Sequence, residues 1–497
     1  MLVSRRNVLV GAGVLGTGIA GLAGRALLST GNSEVRQTLK IPQLIDAQSG
    51  GKALPLNVQA GQTEFFPGRL SPTLGYNGSY LGPTFRFRRG DSVQLSVRNG
   101  LTETTTVHWH GLLIPGPLDG GPHQPIGPGE TWRPLLPIDQ PAATLLYHAH
   151  IHGQTATQVY RGLAGMLIIQ DDDEERLGLP REYGVDDIPL LLQDRQFEDG
   201  MLVLPTGMMT MMQGRRGNTI LVNGTANPLA RVPSRMVRLR LVNGSNARIY
   251  DLSFEDKRVF HWIATEGGLL ERPVALRSIR LAPGQRAELI VDFSDGRSAG
   301  MLTAADPNMA AMGMMRMGGS DAAAGRVFLR FEPIPGPAAP ARIPQILARQ
   351  YLIDPATATK RRKFVLNMGM GGMMGGAMAG PTGGSSAGAA SFGINGNAFD
   401  IRRIDESVRL GDTEIWEVTG QMMAHPLHIH GVHFQVLSRN GGPPDVLDQG
   451  PRDTVLIKES TELLVRFTKP TQGAPFMYHC HILEHEDLGM MGQFSVD

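Results

Sequence analysis

Short runs of alternating apolar and polar residues recur along the chain after its N-terminal segment. Clear examples are FRFRRGDSVQLSVRNG at residues 85–100, MVRLRLVNG at 236–244 and IWEVTG at 415–420. Alternation with a period of two places the apolar side chains on one face of a β-strand, and the Gly and Asn residues that end these runs favour turns. The chain is therefore predicted to be all-β.

The strand patterns repeat in three related blocks. Comparable stretches of the blocks begin with RRGDSVQLSVRNG, RMVRLRLVNG and RLGDTEIWEVTG. An acidic segment at 171–184, predicted to be a loop, and a Pro-rich segment at 332–344 separate the blocks. Three β-sandwich domains in tandem explain this repetition. Their predicted bounds are 34–172 for the first block, 185–333 for the middle block and 345–497 for the third block.

The N-terminal segment combines paired arginines with an apolar run. Arg5 and Arg6 precede residues 7–24, which are apolar but rich in glycine. This arrangement resembles a twin-arginine export signal, whereas a membrane anchor would need a longer and more apolar run. Residues 1–33 are therefore predicted to be a signal segment that is removed after export to the periplasm by the twin-arginine machinery.

Composition narrows the classes of function. The formal net charge is +1 and no basic block stands out, so nothing in the sequence favours nucleic acid as a partner. The 497 residues include a single cysteine, Cys480, which excludes an internal disulfide. The thiol must therefore be explained by its reactivity or its packing, and its neighbours favour reactivity.

Histidines are concentrated in a few short clusters. The chain has 14 of them, and ten lie in HWH (108–110), HAH (148–150), HPLHIH (425–430) and HCHILEH (479–485). On a strand, residues i and i+2 point to the same side about 6 to 7 Å apart, so each H-x-H pair presents two imidazoles together. In His479-Cys480-His481 the thiol then points away from both imidazoles. This tripeptide is predicted to contact two metal sites.

The two sides of the tripeptide carry different donor sets. A thiolate, two imidazoles and a more distant thioether are the ligands of a blue copper centre, and Cys480, His485, Met490 and an upstream histidine such as His425 fit that set. The remaining eight clustered histidines suit a group of copper ions. Zinc is the alternative, but zinc hydrolases add carboxylate ligands and would leave Cys480 and Met490 without a role.

The four clusters, in this order, resemble those of the multicopper oxidases. The resemblance covers the chain after the signal and implies three tandem cupredoxin-like Greek-key β-sandwich domains. It also implies four copper ions, with electrons passing from a type 1 copper to a trinuclear cluster where O2 is reduced to water. The implied ligands are His425, Cys480, His485 and Met490 for type 1; His108 and His428 for type 2; and His110, His148 and His481, with His150, His430 and His479, for the type 3 pair.

The resemblance extends to other residues. Glu486 and Asp119 match acidic residues that carry protons near the cluster in similar enzymes; the alternative is that they are ordinary solvated or ion-paired carboxylates. The middle block has no histidines in YDLSF, which begins at Tyr250 and corresponds to the ligand stretches of the other blocks. That block is predicted to hold no copper.

Methionines bear on the substrate. The chain has 24, and many lie in MMTMM (208–212), MAAMGMMRMGG (309–319) and MGMGGMMGGAMAG (368–380). Thioethers prefer Cu(I), so these segments favour metal capture over the alternative of low-complexity filler. The last segment is similar in position to the Met-rich insert of periplasmic copper-resistance cuprous oxidases. Met368 and Met423 stand where substrate-copper ligands are expected, although Gln421 replaces an acidic residue of those enzymes.

Three functions are compatible with the sequence. The leading hypothesis is a cuprous oxidase that detoxifies copper, with O2 and Cu(I) as substrates. The second is a laccase-like oxidase of phenols, aromatic amines or another metal such as Mn(II). The third is a copper-free cell-division scaffold of the same fold, which the intact ligand set disfavours. In each case the exported chain is expected to be a soluble monomer.

Overall fold

The computed structural model describes residues 36–47, 51–311, 321–336, 342–349, 352–369 and 392–497. The predicted signal segment and most of the Met-rich segments 309–319 and 368–380 lie outside these ranges. Residues Gln37–Asp497 form one compact unit. Within the described ranges, no helix combines the length and the apolar character needed to cross a bilayer.

Strands of the first block form two sheets around a shared core. Their order is β2-β5-β10-β9 in one sheet and β4-β3-β6-β7 in the other, with β8 beside β6, whereas β1 pairs with β15 of the middle block. Residues of both sheets meet in one apolar cluster around Trp109 and Tyr147. The strands are β1 (Gln37–Thr38), β2 (Leu44–Asp46), β3 (Leu54–Phe66), β4 (Arg69–Tyr76), β5 (Thr84–Arg88), β6 (Ser92–Asn99), β7 (Thr131–Trp132), β8 (Leu135–Pro137), β9 (Ala143–His148) and β10 (Ala164–Gln170).

The middle block is built in the same way. Its sheets have the orders β1-β15-β23-β22-β17-β20 and β14-β13-β11-β16-β21-β18-β19, with β12 beside β11, around a core that contains Trp262. The strands are β11 (Asp187–Glu198), β12 (Met201–Val203), β13 (Thr219–Val222), β14 (Thr225–Ala226), β15 (Pro228–Pro233), β16 (Met236–Asn243), β17 (Tyr250–Phe254), β18 (Phe260–Thr265), β19 (Gly268–Leu276), β20 (Ser278–Leu281), β21 (Arg286–Asp292), β22 (Ala299–Thr303) and β23 (Val327–Ile334).

The third block places two histidine clusters on neighbouring strands. Its sheets have the orders β25-β24-β27-β31-β29 and β26-β33-β32-β28-β30. Strands β28 and β32 are antiparallel, with His428 opposite His479. The strands are β24 (Lys360–Met368), β25 (Phe392–Ile394), β26 (Glu406–Val408), β27 (Thr413–Gly420), β28 (His425–Ile429), β29 (Phe434–Arg439), β30 (Thr454–Ile457), β31 (Thr461–Arg466), β32 (Phe476–Cys480) and β33 (Met491–Val496).

Helices are short and lie in the connections. The acidic segment predicted to be a loop contains one of them, because the Asp171 side chain accepts a hydrogen bond from the Glu174 amide at 2.8 Å and caps the helix start. The all-β prediction is confirmed, while the domain bounds stay a prediction. The α-helices are Thr155–Arg161, Asp172–Arg176, Met208–Gln213, Pro307–Ala311 and Leu483–Asp487, and the 3-10 turns are Gly116–Leu118, Pro355–Thr357 and Val446–Asp448.

Candidate metal centre

The only thiol of the chain lies between two imidazoles. Cys480 ends β32, and its Sγ is 3.5 Å from His425 Nδ1 and 3.7 Å from His485 Nδ1. The outer ring nitrogens are satisfied, since His425 Nε2 donates to the Gln421 carbonyl at 2.9 Å and His485 Nε2 donates to the Met212 carbonyl at 3.2 Å. Both rings therefore present Nδ1, with its lone pair, towards the sulfur.

Met490 belongs to the same site. Its side chain is buried in the apolar cluster that also contains Cys480. The Cys480 amide donates to the Met490 carbonyl at 3.1 Å, and the Met490 amide donates to the His485 carbonyl at 2.8 Å. His425, Cys480, His485 and Met490 are called the thiol site below. The structure thus brings one thiol and two imidazoles together, with a buried methionine whose backbone is bonded to Cys480 and His485.

Eight further histidines form a second group, called the imidazole cluster. Strand alternation directs His479 and His481 to one side of β32, with ring centroids 5.7 Å apart, and Cys480 to the other. Three sets of ring nitrogens each lie within 4.8 Å of one another. The sets are His108, His428 and His430; His110, His148 and His481; and His150, His430 and His479.

Backbone carbonyls orient half of these rings. In four of them Nδ1–H donates to a carbonyl, which turns Nε2 towards the other imidazoles. The pairs are His108 with Asp119 at 3.0 Å, His148 with Ala149 at 2.8 Å, His428 with Asp453 at 2.9 Å and His479 with Cys480 at 3.1 Å. His110 is turned the other way, because its Nδ1 is 3.4 Å from His148 Nε2 and its Nε2 is 3.2 Å from Asp453 Oδ1.

The buried nitrogens of the imidazole cluster fit copper ions. Nε2 of His108 and of His428, and both ring nitrogens of His481, have no hydrogen-bond partner among the described residues. An unsatisfied buried polar atom costs about 1 to 3 kcal/mol, so an uncompensated group of this kind indicates a ligand. Burial lowers the pKa of His428 to about 4 and that of His479 to about 3, and neutral imidazoles are good copper ligands.

The two predicted proton carriers both contact the imidazole cluster. Glu486 is fully buried, with Oε1 3.3 Å from His150 Nδ1 and Oε2 3.2 Å from His479 Nδ1. Asp119 Oδ2 accepts a hydrogen bond from His430 Nδ1 at 2.8 Å. His150, His430 and His479, whose Nε2 atoms converge, therefore each face a carboxylate on their Nδ1 side.

Sequence reasoning missed one carboxylate of this site. Asp453 precedes β30, is buried, and contacts His428 with its carbonyl oxygen and His110 with its side chain. In the sequence it stands in PRDTV, which has no feature that separates it from other charged strand ends. Only the pairing of β30 with β28 brings it to the histidines.

The methionines divide into buried and exposed groups. Met368 and Met423, expected to bind substrate copper, are both buried in the core of the third block. Met212 is also buried there, and its carbonyl contacts His485. The same helix, Met208–Gln213, exposes other thioethers, with relative exposures of 65% for Met208, 52% for Met209 and 37% for Met211.

A thiol site joined by one tripeptide to an imidazole cluster, in an all-β chain, defines the class of copper-dependent oxidases. Comparisons with known proteins agree. Sequence profiles described as multicopper oxidase match residues 57–174 and 374–497. The multicopper oxidase mco of Staphylococcus aureus is 34% identical to this chain, over 94% of each sequence.

The cell division protein FtsP of Xenorhabdus nematophila is 37% identical, over 92% of each sequence. Among solved structures, the laccase-like multicopper oxidase CueO from the lignin-degrading bacterium Ochrobactrum sp. is 39% identical, with a TM-score of 0.82 over 92% of this chain and 100% of that one. It is described as oxidising lignin model compounds and lignosulfonate. The chain belongs to the multicopper oxidase family and is an oxidase that uses copper.

Proposed function

We propose that the protein is a cuprous oxidase that couples oxidation of Cu(I) to the four-electron reduction of O2. Four Cu(I) ions, one O2 and four protons would give four Cu(II) ions and two water molecules. The observation that carries the oxidase function is the convergence of the thiol site and the imidazole cluster on the two faces of His479-Cys480-His481. Detoxification of copper is the physiological role that follows from this chemistry.

Four copper ions are proposed, one in the thiol site and three in the imidazole cluster. When bound, they supply one-electron transfer at the thiol site and reduction of O2 at the cluster. His108 and His428 are the proposed type 2 ligands. The two type 3 sets are His110, His148 and His481, and His150, His430 and His479. The chain's own contribution is to hold neutral imidazoles with converging lone pairs and to join the two sites by one covalent segment.

Glu486 and Asp119 are proposed to deliver the protons that O2 reduction consumes. Each contacts the Nδ1 side of cluster imidazoles, at 3.2 to 3.3 Å for Glu486 and at 2.8 Å for Asp119. Neither oxygen of Glu486 has an aligned hydrogen bond among the described residues, so both are available to exchange a proton.

Cu(I) is favoured as the reductant by the helix Met208–Gln213. The carbonyl of Met212 accepts the outer hydrogen bond of His485, so the helix lies directly against the thiol site. Its exposed thioethers, Met208, Met209 and Met211, offer the soft donors that Cu(I) prefers. We propose that incoming Cu(I) meets these side chains first, with Met368 and Met423 as buried donors nearer the thiol site.

Oxidation of phenols or aromatic amines is the second candidate. The described activity of the Ochrobactrum CueO towards lignin model compounds favours it. A Mn(II) oxidase is a variant of the same candidate.

A third candidate, a copper-free cell-division scaffold, is suggested by the similarity to the cell division protein FtsP. A scaffold of this kind gives no account of the buried, unpartnered nitrogens of His108, His428 and His481.

Export to the periplasm is also part of the proposal. The paired arginines and the apolar run within residues 1–33 support it.

Two measurements test these proposals. The purified mature protein should bind four copper ions and be blue, and Cys480→Ser should remove both the colour and substrate oxidation while keeping the fold. Fewer than three ions after full loading, or zinc in their place, would contradict the oxidase assignment. Steady-state oxidation of Cu(I) and of a phenol, each with and without added Cu(II), separates the two substrate classes.

A further inference from the structure

An arginine of the middle block reaches the imidazole cluster. Arg286, at the start of β21, is buried, and its Nη1 and Nη2 donate to Asp453 Oδ1 and Oδ2 at 2.7 and 2.5 Å. The same guanidinium donates to the carbonyl of Thr144 at 3.2 Å and to that of Gly284 at 3.0 Å. One side chain of the middle block therefore bonds to all three blocks.

Its carboxylate partner contacts two proposed copper ligands. Asp453 Oδ1 is 3.2 Å from His110 Nε2, and its carbonyl accepts from His428 Nδ1 at 2.9 Å. The carboxylate is an acceptor with a fixed orientation, because the two hydrogen bonds from Arg286 fix its plane.

His110 is the ring that depends on this acceptor. It presents Nδ1 to His148, whereas the oppositely turned rings use backbone carbonyls to hold their tautomers. A ring with Nδ1 free for a metal must carry its proton on Nε2, and two acceptors lie 3.2 Å from that nitrogen, Asp453 Oδ1 and the Thr454 hydroxyl. The Thr454 hydroxyl itself donates to Asp453 Oδ1 at 2.7 Å, so the carboxylate orders both contacts.

The backbone before Arg286 is adapted to the same contact. Gly284 has φ of +81°, and a Cβ at this position would lie 3.0 Å from His110 Cε1 and 3.0 Å from His481 Cδ2. Glycine thus avoids both backbone strain and collision with the cluster. The middle block thus packs directly against the cluster.

We propose that Arg286 of the middle block is a positioning residue for the trinuclear copper cluster: it holds Asp453 so that the carboxylate accepts from His110 Nε2 and leaves Nδ1 directed into the cluster. This inference rests on the proposed ligand assignment. It adds that the cluster, although built from ligands of the first and third blocks, depends on the middle block for the orientation of one ligand.

The test compares Arg286→Gln and Arg286→Lys in the copper-loaded mature protein. Loss of an outer hydrogen-bond partner of a ligand typically costs about 10 to 100-fold in metal affinity, so Arg286→Gln should bind cluster copper that much more weakly. Because His110 is a proposed type 3 ligand, the near-ultraviolet absorption of the coupled type 3 pair should weaken, while the blue absorption and type 1 EPR signal stay as in wild type. Arg286→Lys keeps the charge but not the fork, and should recover part of the copper affinity.

The control is Arg248→Gln. Arg248 is equally buried in the middle block and pairs with Asp321 at 2.8 Å, but no described contact joins it to a histidine. It should leave the type 3 absorption unchanged relative to the blue absorption. If Arg286→Gln does not fold, Asp453→Asn supplies the same readout, and it should weaken the type 3 absorption in the same way.

Two results distinguish failure of the proposed role of Arg286 from failure of the ligand assignment. A normal type 3 absorption and full copper content in both Arg286→Gln and Asp453→Asn would overturn the role of Arg286 and leave the oxidase assignment intact. A wild-type protein without type 3 absorption would instead overturn the ligand assignment itself. Equal loss of blue and cluster copper in Arg286→Gln would indicate a general structural role and would also contradict the proposal.

Discussion

At the scale of single residues, carboxylates and carbonyls decide which nitrogen each imidazole presents. Backbone carbonyls accept from four of the eight cluster rings, and side-chain carboxylates face His110, His150, His430 and His479. A carboxylate can also exchange a proton, which a carbonyl cannot. The rings that face carboxylates are therefore where orientation and proton delivery can be combined.

Glu486→Gln tests proton delivery. The amide keeps the size of the side chain but cannot titrate, so reduction by substrate should proceed normally. Reoxidation by O2 should slow by on the order of 10²-fold, the usual effect of losing a positioned proton donor. Stopped-flow recovery of the blue band after anaerobic reduction measures this step.

The matched control is Glu484→Gln on the same helix. Glu484 is also buried, but it contacts Arg215 at 3.0 Å and Asn246 at 2.9 Å rather than a cluster imidazole. Its reoxidation rate should match that of wild type. Recovery at the wild-type rate in Glu486→Gln would leave Asp119 or water as the proton source.

Met490→Leu tests the proposed axial ligand. The side chain is buried in the same apolar cluster as Cys480, and a weak axial thioether tunes the potential of a blue copper site. The variant should stay blue and have a higher potential, as measured by redox titration. Met491→Leu, at the neighbouring buried position on β33, should leave the potential unchanged. The reverse pattern would make Met491 the ligand.

At the scale of elements, the helix Met208–Gln213 joins the middle block to the thiol site. The helix lies between Gly207 and Gly214, and the Gly214 amide donates to the Thr210 carbonyl at 2.8 Å. One methionine, Met212, anchors the helix in the core of the third block, and three others face solvent. The element thus presents soft donors next to His485 without giving up its packing.

Replacing Met208, Met209 and Met211 by leucine tests this role. Leucine keeps the apolar volume and helix propensity, so the fold should persist. Oxidation of Cu(I) should fall at limiting substrate, while oxidation of a small phenol should be spared. The measurement is the apparent KM for each substrate in parallel assays.

The control for the triple variant is Met236→Leu. Met236 is a half-buried methionine at the start of β16 in the same block, and its replacement should alter neither activity. Equal loss of both activities in the triple variant would show that the helix serves the thiol site structurally and does not capture Cu(I).

At the scale of the whole molecule, a buried ion-pair group of the middle block also bonds to the first block. Glu288 in β21 accepts from Arg238 at 2.5 Å, from Arg240 at 3.0 Å and from Thr144 of the first block at 2.6 Å. Burial alone would raise the pKa of Glu288, but Arg238 and Arg240 lower it to about 2. Its charge therefore stabilises the contact between the first and middle blocks.

The lowered pKa predicts how stability depends on pH. A carboxyl group whose pKa falls from 4.5 to about 2 on folding contributes about 3 kcal/mol above pH 4.5. That contribution is lost as the pH falls through 4.5 towards 2. Glu288→Gln should destabilise the protein by about 3 to 5 kcal/mol at neutral pH, because it leaves buried guanidinium groups short of a partner.

Denaturant unfolding at several pH values checks this prediction. The difference in midpoint between wild type and Glu288→Gln should be constant at neutral pH and shrink below pH 4.5. Glu255→Gln is the control, since its pair with Arg330 is about one-third exposed and is worth about 0 to 1 kcal/mol. A difference that does not change with pH would mean that the charge of Glu288 is not what stabilises the contact.

The local sequence was sufficient to predict features that are set within a single strand. Alternation with period two predicted the all-β class, and it also predicted that Cys480 turns away from His479 and His481. These follow from backbone geometry over a few residues and require no knowledge of neighbouring elements. The order of four histidine clusters was likewise enough to identify the family.

Tertiary structure alone decided what lies around the ligands. The pairing of β30 with β28 brings Asp453 to His428, and the start of β21 brings Arg286 to Asp453 from 167 residues away in sequence. The carbonyl of Met212 accepts a hydrogen bond from His485, which is 273 residues away in sequence. Such contacts depend on how distant elements pack. A single charged or apolar residue leaves no periodic pattern in the sequence, so these contacts could not be predicted from it. The sequence therefore determined which side chains act as ligand donors, and the packing of the strands determined their orientation and their neighbours.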